Sequence, residues 1–360
     1  MKYRMLGDTG VFVSELCLGA MTFGGTGQVW QVIGGLGQAE VDALVGRALD
    51  SGINFVDTAN VYSAGVSETL VGRALYHRRH EVVLATKVRG RMGPGPNEVG
   101  LSRLHIMREV EASLKRLDTD YIDLYQIHRA DAVTNVEDTL RALDDLVTQG
   151  KVRYVGCSNL PAWQLMKALA LSRAEGLQRF KSTQSYYSLA GRQLEWDTIP
   201  LIEDQGLGLL VWSPLAGGFL SGKFTRDATG EGRRKSFDFP PVDKEKGYAI
   251  VDVLAKIAGE RGSSVAQIAL AWVLAHRAVT SVIIGARNLK QLDDNIGAVE
   301  ITLSAEELKA LDEVSRIPPA YPHWMDLLGS DRRPGEVRRY DQVTGAGTKK
   351  DGAAAPSTRS

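Results

Sequence analysis

The 360-residue sequence predicts an α/β fold, a closed (β/α)8 TIM barrel preceded by a small β-hairpin. Three observations predict it. Short β-branched runs alternate with stretches of helical periodicity along most of the chain, which is the pattern of βα units on a parallel sheet. The strand candidates number eight, Leu16–Gly19, Asn54–Asp57, Val82–Lys87, Tyr121–His128, Val152–Ser158, Ser182–Gln184, Leu207–Trp212 and Ser281–Gly285. No shift in composition splits the alternation into two domains, and a chain of this length can bury one large core without disulfide staples.

In chain order, KYRMLGDTGVFVSEL places a Gly-Asp-Thr-Gly turn between two apolar runs, a hairpin expected to cap the barrel floor. After the first strand, Thr22 to Gln38 is a long Gly-rich loop. Val41, Leu44, Val45, Ala48 and Leu49 then fall at i, i+3, i+4, i+7 and i+8, and Ile106, Val110, Leu114 and Leu117 trace a comparable stripe. Such faces pack helices against a sheet. A second long loop, Gly222 to Gly247, follows the seventh strand and is rich in Gly, Arg and Lys. Loops of that length are functional or disordered. From Asp331 to Ser360 charges mix with Gly, Ala, Ser, Pro and Thr, with almost no large apolar side chain. The expected organisation is a barrel over residues 1–330 and a disordered tail over residues 331–360.

Composition removes several classes of function. With 43 Lys+Arg against 43 Asp+Glu there is no basic footprint for nucleic acid. The two cysteines, Cys17 and Cys157, are far apart and outside any CxxC, which argues against a disulfide framework and a thiolate zinc site and for a reduced, cytoplasmic setting. The opening MKYRMLGDTG lacks the apolar core of a secretion signal. The longest apolar stretch, Val265 to Ala275, is interrupted by Gln267 and is shorter than the roughly 18 residues of a membrane span. His77 and His80 in YHRRHE have no acidic or cysteine ligand at metal spacing, so no metal is expected. The glycine pairs Gly24-Gly25 and Gly34-Gly35 do not complete a GxGxxG after a strand.

In barrel enzymes the chemistry sits where strands end at the C-terminal mouth. Asp57 closes NFVD, Lys87 closes VVLATK and His128 closes YIDLYQIH, while Tyr62 lies five residues beyond Asp57 in TANVYSAG. Singly, each has a plainer reading: a helix cap, a loop tyrosine, a solvated lysine, a core histidine. Together, at one mouth and without a nucleophilic Ser or Cys, they suit proton delivery to a carbonyl oxygen. A phenol's pKa near 10 is high for acid catalysis at neutral pH, and a nearby ammonium such as Lys87 is expected to lower it. Asp57 would hold Lys87 charged, and His128 would donate a hydrogen bond to the carbonyl oxygen. This set moves protons and not electrons, so a hydride donor must be bound from outside.

The stretches GINFVDTANVYSAGVSETLVGRAL, VVLATKV, YIDLYQIHRAD, GKVRYVGCSN, TQSYYSLAGR, VWSPLAGGFLSGK and SVIIGARNLKQLDDN, in this order over roughly residues 1 to 325, make the chain resemble the aldo-keto reductases, NAD(P)H-dependent carbonyl reductases on a (β/α)8 barrel. The resemblance implies that Asp57, Tyr62, Lys87 and His128 are the catalytic tetrad, with Tyr62 the general acid in reduction. It implies that Ser158, Asn159 and Gln184 bond the nicotinamide carboxamide and that Trp212 stacks on the ring. It further implies that Ser213, Leu215, Gly217 and Gly218 wrap the pyrophosphate, and that Gly285, Arg287, Gln291 and Asn295 meet the adenosine end. Arg287 beside a helix start suits a 2′-phosphate, favouring NADPH/NADP+ over NADH.

The chain departs from the family around that phosphate, since Gly285, Ala286 and Asn288 leave Arg287 nearly alone. Arg233, Arg234 and Lys235 in the second long loop are candidates to supply further charge. Trp30 in the first loop, Arg129 after His128, and Trp324 in IPPAYPHWM are candidate substrate contacts. The substrate expected is a small carbonyl compound or the corresponding alcohol; sugar ketones, hydroxylated natural products and aromatic aldehydes all fit, and oligomeric state is left open. Two other readings exist: an NADPH-binding regulatory subunit with little turnover, and an aldolase using Lys87 as a Schiff-base lysine, which would leave Ser158, Asn159 and Gln184 unexplained.

Overall fold

The computed structural model describes residues 1–226 and 233–327. Ten strands are found among them: β1 Tyr3–Met5, β2 Phe12–Ser14, β3 Leu16–Gly19, β4 Phe55–Asp57, β5 Val83–Val88, β6 Ile122–Ile127, β7 Val152–Ser158, β8 Ser182–Tyr186, β9 Gly208–Trp212 and β10 Val279–Ile284. The last eight close into a parallel barrel in the order β10-β3-β4-β5-β6-β7-β8-β9. The predicted barrel and its eight strands are therefore present, with ends moved by one or two residues. His128 and Gly285 stand just beyond strand ends, and Tyr186 extends β8 because it pairs with Trp212.

β1 and β2 form the antiparallel hairpin, with Tyr3 opposite Ser14 and Met5 opposite Phe12. Leu6 and Val13, both fully buried, join Cys17, Phe55, Ala85, Leu124 and Leu210 in a cluster inside the barrel, so the hairpin plugs one end.

The outer layer consists of α1 Gln28–Ile33, α2 Gln38–Asp50, α3 Val66–Leu75, α4 Arg103–Leu117, α5 Val136–Thr148, α6 Ala162–Glu175, α7 Thr198–Gln205, α8 Lys244–Arg261, α9 Val265–Ala275, α10 Leu289–Gly297 and α11 Ala305–Ser315. The stripe Val41, Leu44, Val45, Ala48, Leu49 is the buried face of α2, and Ile106, Val110, Leu114, Leu117 that of α4. Helix starts follow their capping residues. Ser264 and Ser304 open α9 and α11 with reciprocal bonds to Gln267 and Glu307, and Asn288 accepts the Gln291 N–H at the start of α10.

The first long loop is not featureless: it carries α1, and the Gly24 N–H donates to Leu36 O at 3.0 Å, closing the loop on itself. In the second long loop residues 227–232 lie outside the described residues, and a short 3-10 turn, Arg233–Lys235, precedes α8. The chain divides into two compact units, Met1–Ile317, which is the barrel, and a second from Pro318. In the second, the Tyr321 and Trp324 rings meet at 6.1 Å and Trp324 is 41% exposed. The tail expected over residues 331–360 lies outside the described residues.

Candidate active site

Strand pairing sets the centre. In the β5–β6 register Lys87 stands opposite Gln126, and in β4–β5 Asp57 stands opposite Ala85, two residues before Lys87, so side chains from the ends of three adjacent strands meet at one mouth. The Lys87 ammonium is fully buried and all three of its protons are used: Nζ donates to Asp57 Oδ2 at 2.5 Å, Thr58 O at 2.8 Å and Tyr62 Oη at 3.3 Å. Asp57 Oδ1 accepts from Gln126 Nε2 at 3.1 Å and Gln184 Nε2 at 2.8 Å. This carboxylate thus has a charge partner and two amide donors, which is what a buried anion requires. The Tyr62 ring lies between Trp30, at 5.5 Å between centroids, and the edge-on ring of His128, at 5.7 Å.

The backbone after Tyr62 is strained. Ser63, Ala64 and Gly65 are consecutive left-handed residues with φ of 50°, 54° and 92°, a conformation that non-glycine residues adopt at a cost. The surroundings hold it. Ser63 Oγ donates to Phe23 O at 3.1 Å, Asn60 N–H donates to Lys87 O at 3.1 Å, and Asn60 Nδ2 donates to Glu109 Oε2 at 2.9 Å. The stem of Arg116 lies against Gly65, where an added Cβ would stand 2.7 Å from its Cδ. Arg116 in turn is fixed by the fully buried Glu68 at 2.6 Å, and Glu68 also accepts the Thr86 hydroxyl at 2.5 Å. Burial raises the Glu68 carboxyl, against the opposing pull of Arg116 and of the Thr86 and Ser113 hydroxyls.

Electrostatics follow from burial and neighbours. Burial pushes Lys87 down, but the Asp57 charge and the bonds to Asp57 and Tyr62 outweigh it, so the ammonium is held above its ordinary value. His128 is pulled down to about 3, first by burial and then by Lys87, Arg89 and Arg129, and is neutral at physiological pH. One expectation is corrected. Tyr62 is raised and not lowered, because loss of solvent around the phenol outweighs the favourable Lys87 charge, and Asp57 opposes that charge as well.

The groups matched to the nicotinamide lie together at the ends of β7, β8 and β9, and they are engaged with one another. Ser158 Oγ donates to Gln184 O at 2.8 Å, Asn159 Nδ2 to His128 O at 3.1 Å and to Ser158 Oγ at 2.8 Å, and Trp212 Nε1 to Asn159 Oδ1 at 3.0 Å. Trp212 is tilted against Tyr186 at 5.1 Å and stacked with Phe239 at 5.8 Å. From Ser213 to Gly218 the chain turns through left-handed residues at Ser213, Ala216, Gly217 and Gly218, with Ser213 Oγ accepting the Gly217 N–H at 3.2 Å and Leu215 O the Gly218 N–H at 2.9 Å. A Cβ at Gly218 or Gly285 would meet no atom within 4 Å, so both glycines border open space.

At the far end Asn295 Nδ2 donates to Gly285 O at 3.3 Å, and Gln291 Oε1 accepts the Arg287 N–H at 2.9 Å. Arg287 is exposed, yet its guanidinium donates to Val32 O at 2.7 Å and Ile33 O at 3.1 Å, tying α1 to the end of β10. The expectation that Arg234 supplies phosphate charge is corrected. Arg234 is buried, donates to Ala216 O and Pro240 O and pairs with Asp238, so it braces the Ser213–Gly218 turn from behind.

Gln126, Thr58, Asn60, Glu68, Glu109, Arg116 and Phe239 were not singled out from sequence. Gln126 had a usable signal, lying two residues before His128 and so on the same strand face. Glu109 had another, a carboxylate inside the apolar stripe of α4.

The Aldo/keto reductase family model matches residues 15–316. The chain belongs to this family. Among its relatives are an uncharacterized oxidoreductase of Bacillus subtilis (strain 168), 40% identical over 87% of this chain and 96% of its own length, and versiconal hemiacetal acetate reductase of Aspergillus parasiticus, 36% identical over 87% and 96%. A probable voltage-gated potassium channel subunit beta of Arabidopsis thaliana is 35% identical over 89% and 99%. As an aldo/keto reductase, the protein is an oxidoreductase acting on a small carbonyl compound or the corresponding alcohol. Among the described residues no group of His, Cys, Asp and Glu could hold a metal, and no helix is long and apolar enough to cross a membrane.

Proposed function

We propose that this aldo/keto reductase is an NADPH-dependent, cytoplasmic carbonyl reductase in which Asp57, Tyr62, Lys87 and His128 are the catalytic residues and Tyr62 is the general acid. One observation carries the reading: the buried Lys87 ammonium bonds Asp57, Thr58 O and the Tyr62 hydroxyl at once, beside the neutral His128 ring. Two buried free thiols, Cys17 and Cys157, support a reducing compartment.

NADPH, when bound, supplies the hydride to the carbonyl carbon. Ser158, Asn159, Gln184 and Trp212 would hold its nicotinamide end, Ser213, Leu215, Gly217 and Gly218 its pyrophosphate, and Gly285, Arg287, Gln291 and Asn295 its adenosine end. As negative charge grows on the carbonyl oxygen, the Tyr62 hydroxyl gives up its proton to that oxygen. An alkoxide is far more basic than a phenolate, so even a phenol raised by burial delivers its proton downhill. The phenolate left behind is stabilised by the Lys87 ammonium, which Asp57 keeps charged and aimed. Neutral His128 keeps one N–H with which to orient the carbonyl. Oxidation of an alcohol runs through the same groups in reverse.

The test is to titrate the protein with NADPH and NADH by tryptophan fluorescence and then follow cofactor absorbance with a panel of aldehydes and ketones. NADPH oxidation is expected, and Tyr62→Phe is expected to lower kcat by about 100-fold or more while NADPH still binds. Wild-type turnover in that variant would remove Tyr62 as the acid. Similarity to the Arabidopsis channel subunit supports a second reading, a cofactor-binding regulatory subunit. Tight NADPH binding without turnover across the panel would favour it.

A further inference from the structure

We propose that the guanidinium groups of Arg89 and Arg129 form an anion-recognising rim beside Tyr62 and His128, so that the carbonyl substrate carries a carboxylate remote from its reacting carbon. The inference rests on the reductase reading and names the substrate class of the same site.

The seam between β5 and β6 places the two cations. Val88 pairs with Ile127, and the His128 N–H donates to Val88 O at 2.9 Å, so Arg89 and Arg129 leave adjacent strands beside the His128 ring. Arg89 adopts φ 134°, a conformation that favours glycine, at the rim of the site. Two bonds hold it: its carbonyl accepts the Gly100 N–H at 3.0 Å, and its Nε donates to Ala130 O at 2.9 Å, which folds the side chain over the segment after His128. Its Nη groups and the exposed Arg129 have no hydrogen-bonded or ion-paired acceptor among the described residues.

The nearby carboxylates are already used. Asp131 attracts Arg89 at longer range, but its oxygens accept the N–H groups of Leu101 at 2.8 Å and Val133 at 3.2 Å and the Thr134 hydroxyl at 2.7 Å. Asp57 is neutralised by Lys87. Each of the two guanidiniums is close enough to push His128 down, and Arg129, after burial, lowers Arg89. Two like charges held together repel each other, and a bound oxyanion would satisfy both.

The fitting compound therefore has its carbonyl at Tyr62 and His128 and a carboxylate at the arginines.

The test compares kcat/KM for 4-carboxybenzaldehyde and 4-nitrobenzaldehyde, planar aldehydes that differ in charge, in the wild type and in Arg129→Gln and Arg89→Gln. The wild type is expected to favour the carboxylate through a lower KM, a preference that shrinks as salt rises. Each substitution is expected to reduce the ratio of the two kcat/KM values by about tenfold. No preference in the wild type, or equal losses on both aldehydes in the variants, would overturn the inference while leaving the reductase intact. Failure to reduce either aldehyde, or any other carbonyl, would remove the reductase reading and this inference with it.

Discussion

Replacing Asp57, Lys87 or both separates what this ion pair does for folding from what it does for chemistry. The two are 2% and 0% exposed and 2.5 Å apart, so solvent does not screen them. Asp57→Asn leaves a buried ammonium with neutral acceptors only, Thr58 O, Tyr62 Oη and an amide oxygen, and Lys87→Met leaves a buried carboxylate with only the Gln126 and Gln184 amides. Losing one partner of a buried pair costs about 3–5 kcal/mol. Over the 317 residues of the barrel unit, Met1–Ile317, an unfolding entropy of about 2.1 cal/mol/K per residue sums to about 0.7 kcal/mol/K. Each single substitution is then expected to lower Tm by about 4–8 °C. The double variant buries no charge, so its loss is expected to fall short of the sum by about 2 kcal/mol or more. Carbonyl reduction should drop by about 100-fold or more in all three, because without a held ammonium the Tyr62 phenolate has no cation beside it. Thermal unfolding by circular dichroism and steady-state NADPH oxidation read the two effects. Additive Tm losses would refute the coupling, and recovered turnover in the double variant would refute the role given to Lys87.

Other consequences are equally open to measurement. The folded His128 ring, pulled down to about 3 against about 6.5 when unfolded, contributes stability that is fully present above pH 6.5 and is lost as the pH falls towards 3. The slope is up to about 1.4 kcal/mol per pH unit, so denaturant unfolding of His128→Gln should weaken less steeply with acid than the wild type; equal slopes would contradict the neutral buried ring. Gly65→Ala should destabilise the protein by about 1–2 kcal/mol and lower kcat more than it weakens NADPH binding, since the new methyl group needs φ 92° and meets the Arg116 stem. A wild-type kcat there would show that the turn does not position Tyr62. Arg287→Ala should weaken NADPH more than NADH by fluorescence titration. Equal losses would mean that its bonds to Val32 O and Ile33 O are its whole role.

The barrel was legible because its signals are local. The short β-branched runs and the α2 and α4 stripes each span a few residues and agree with one another. Asp57, Lys87 and His128 could be found because barrel strands deliver their last residues to one mouth, and Tyr62 because it follows Asp57 closely in the chain. The brace behind Tyr62 could not be found that way. Asn60, Glu68, Glu109 and Arg116 come from a loop and two helices, and only packing of α3 on α4 makes them one network.

By itself the sequence determined the (β/α)8 architecture and the chemical types gathered at its mouth, since a strand's hydrophobic pattern and its terminal residue are written side by side. Only the tertiary structure decided the balance of forces on those groups. Whether Tyr62 is raised or lowered depends on burial competing with Lys87 and Asp57, a contest between desolvation and charge that exists only once the strands have closed. Whether Arg234 meets a ligand or the chain's own carbonyls, and whether the Arg89 side chain folds onto Ala130 O, likewise depend on where loops distant in sequence come to rest.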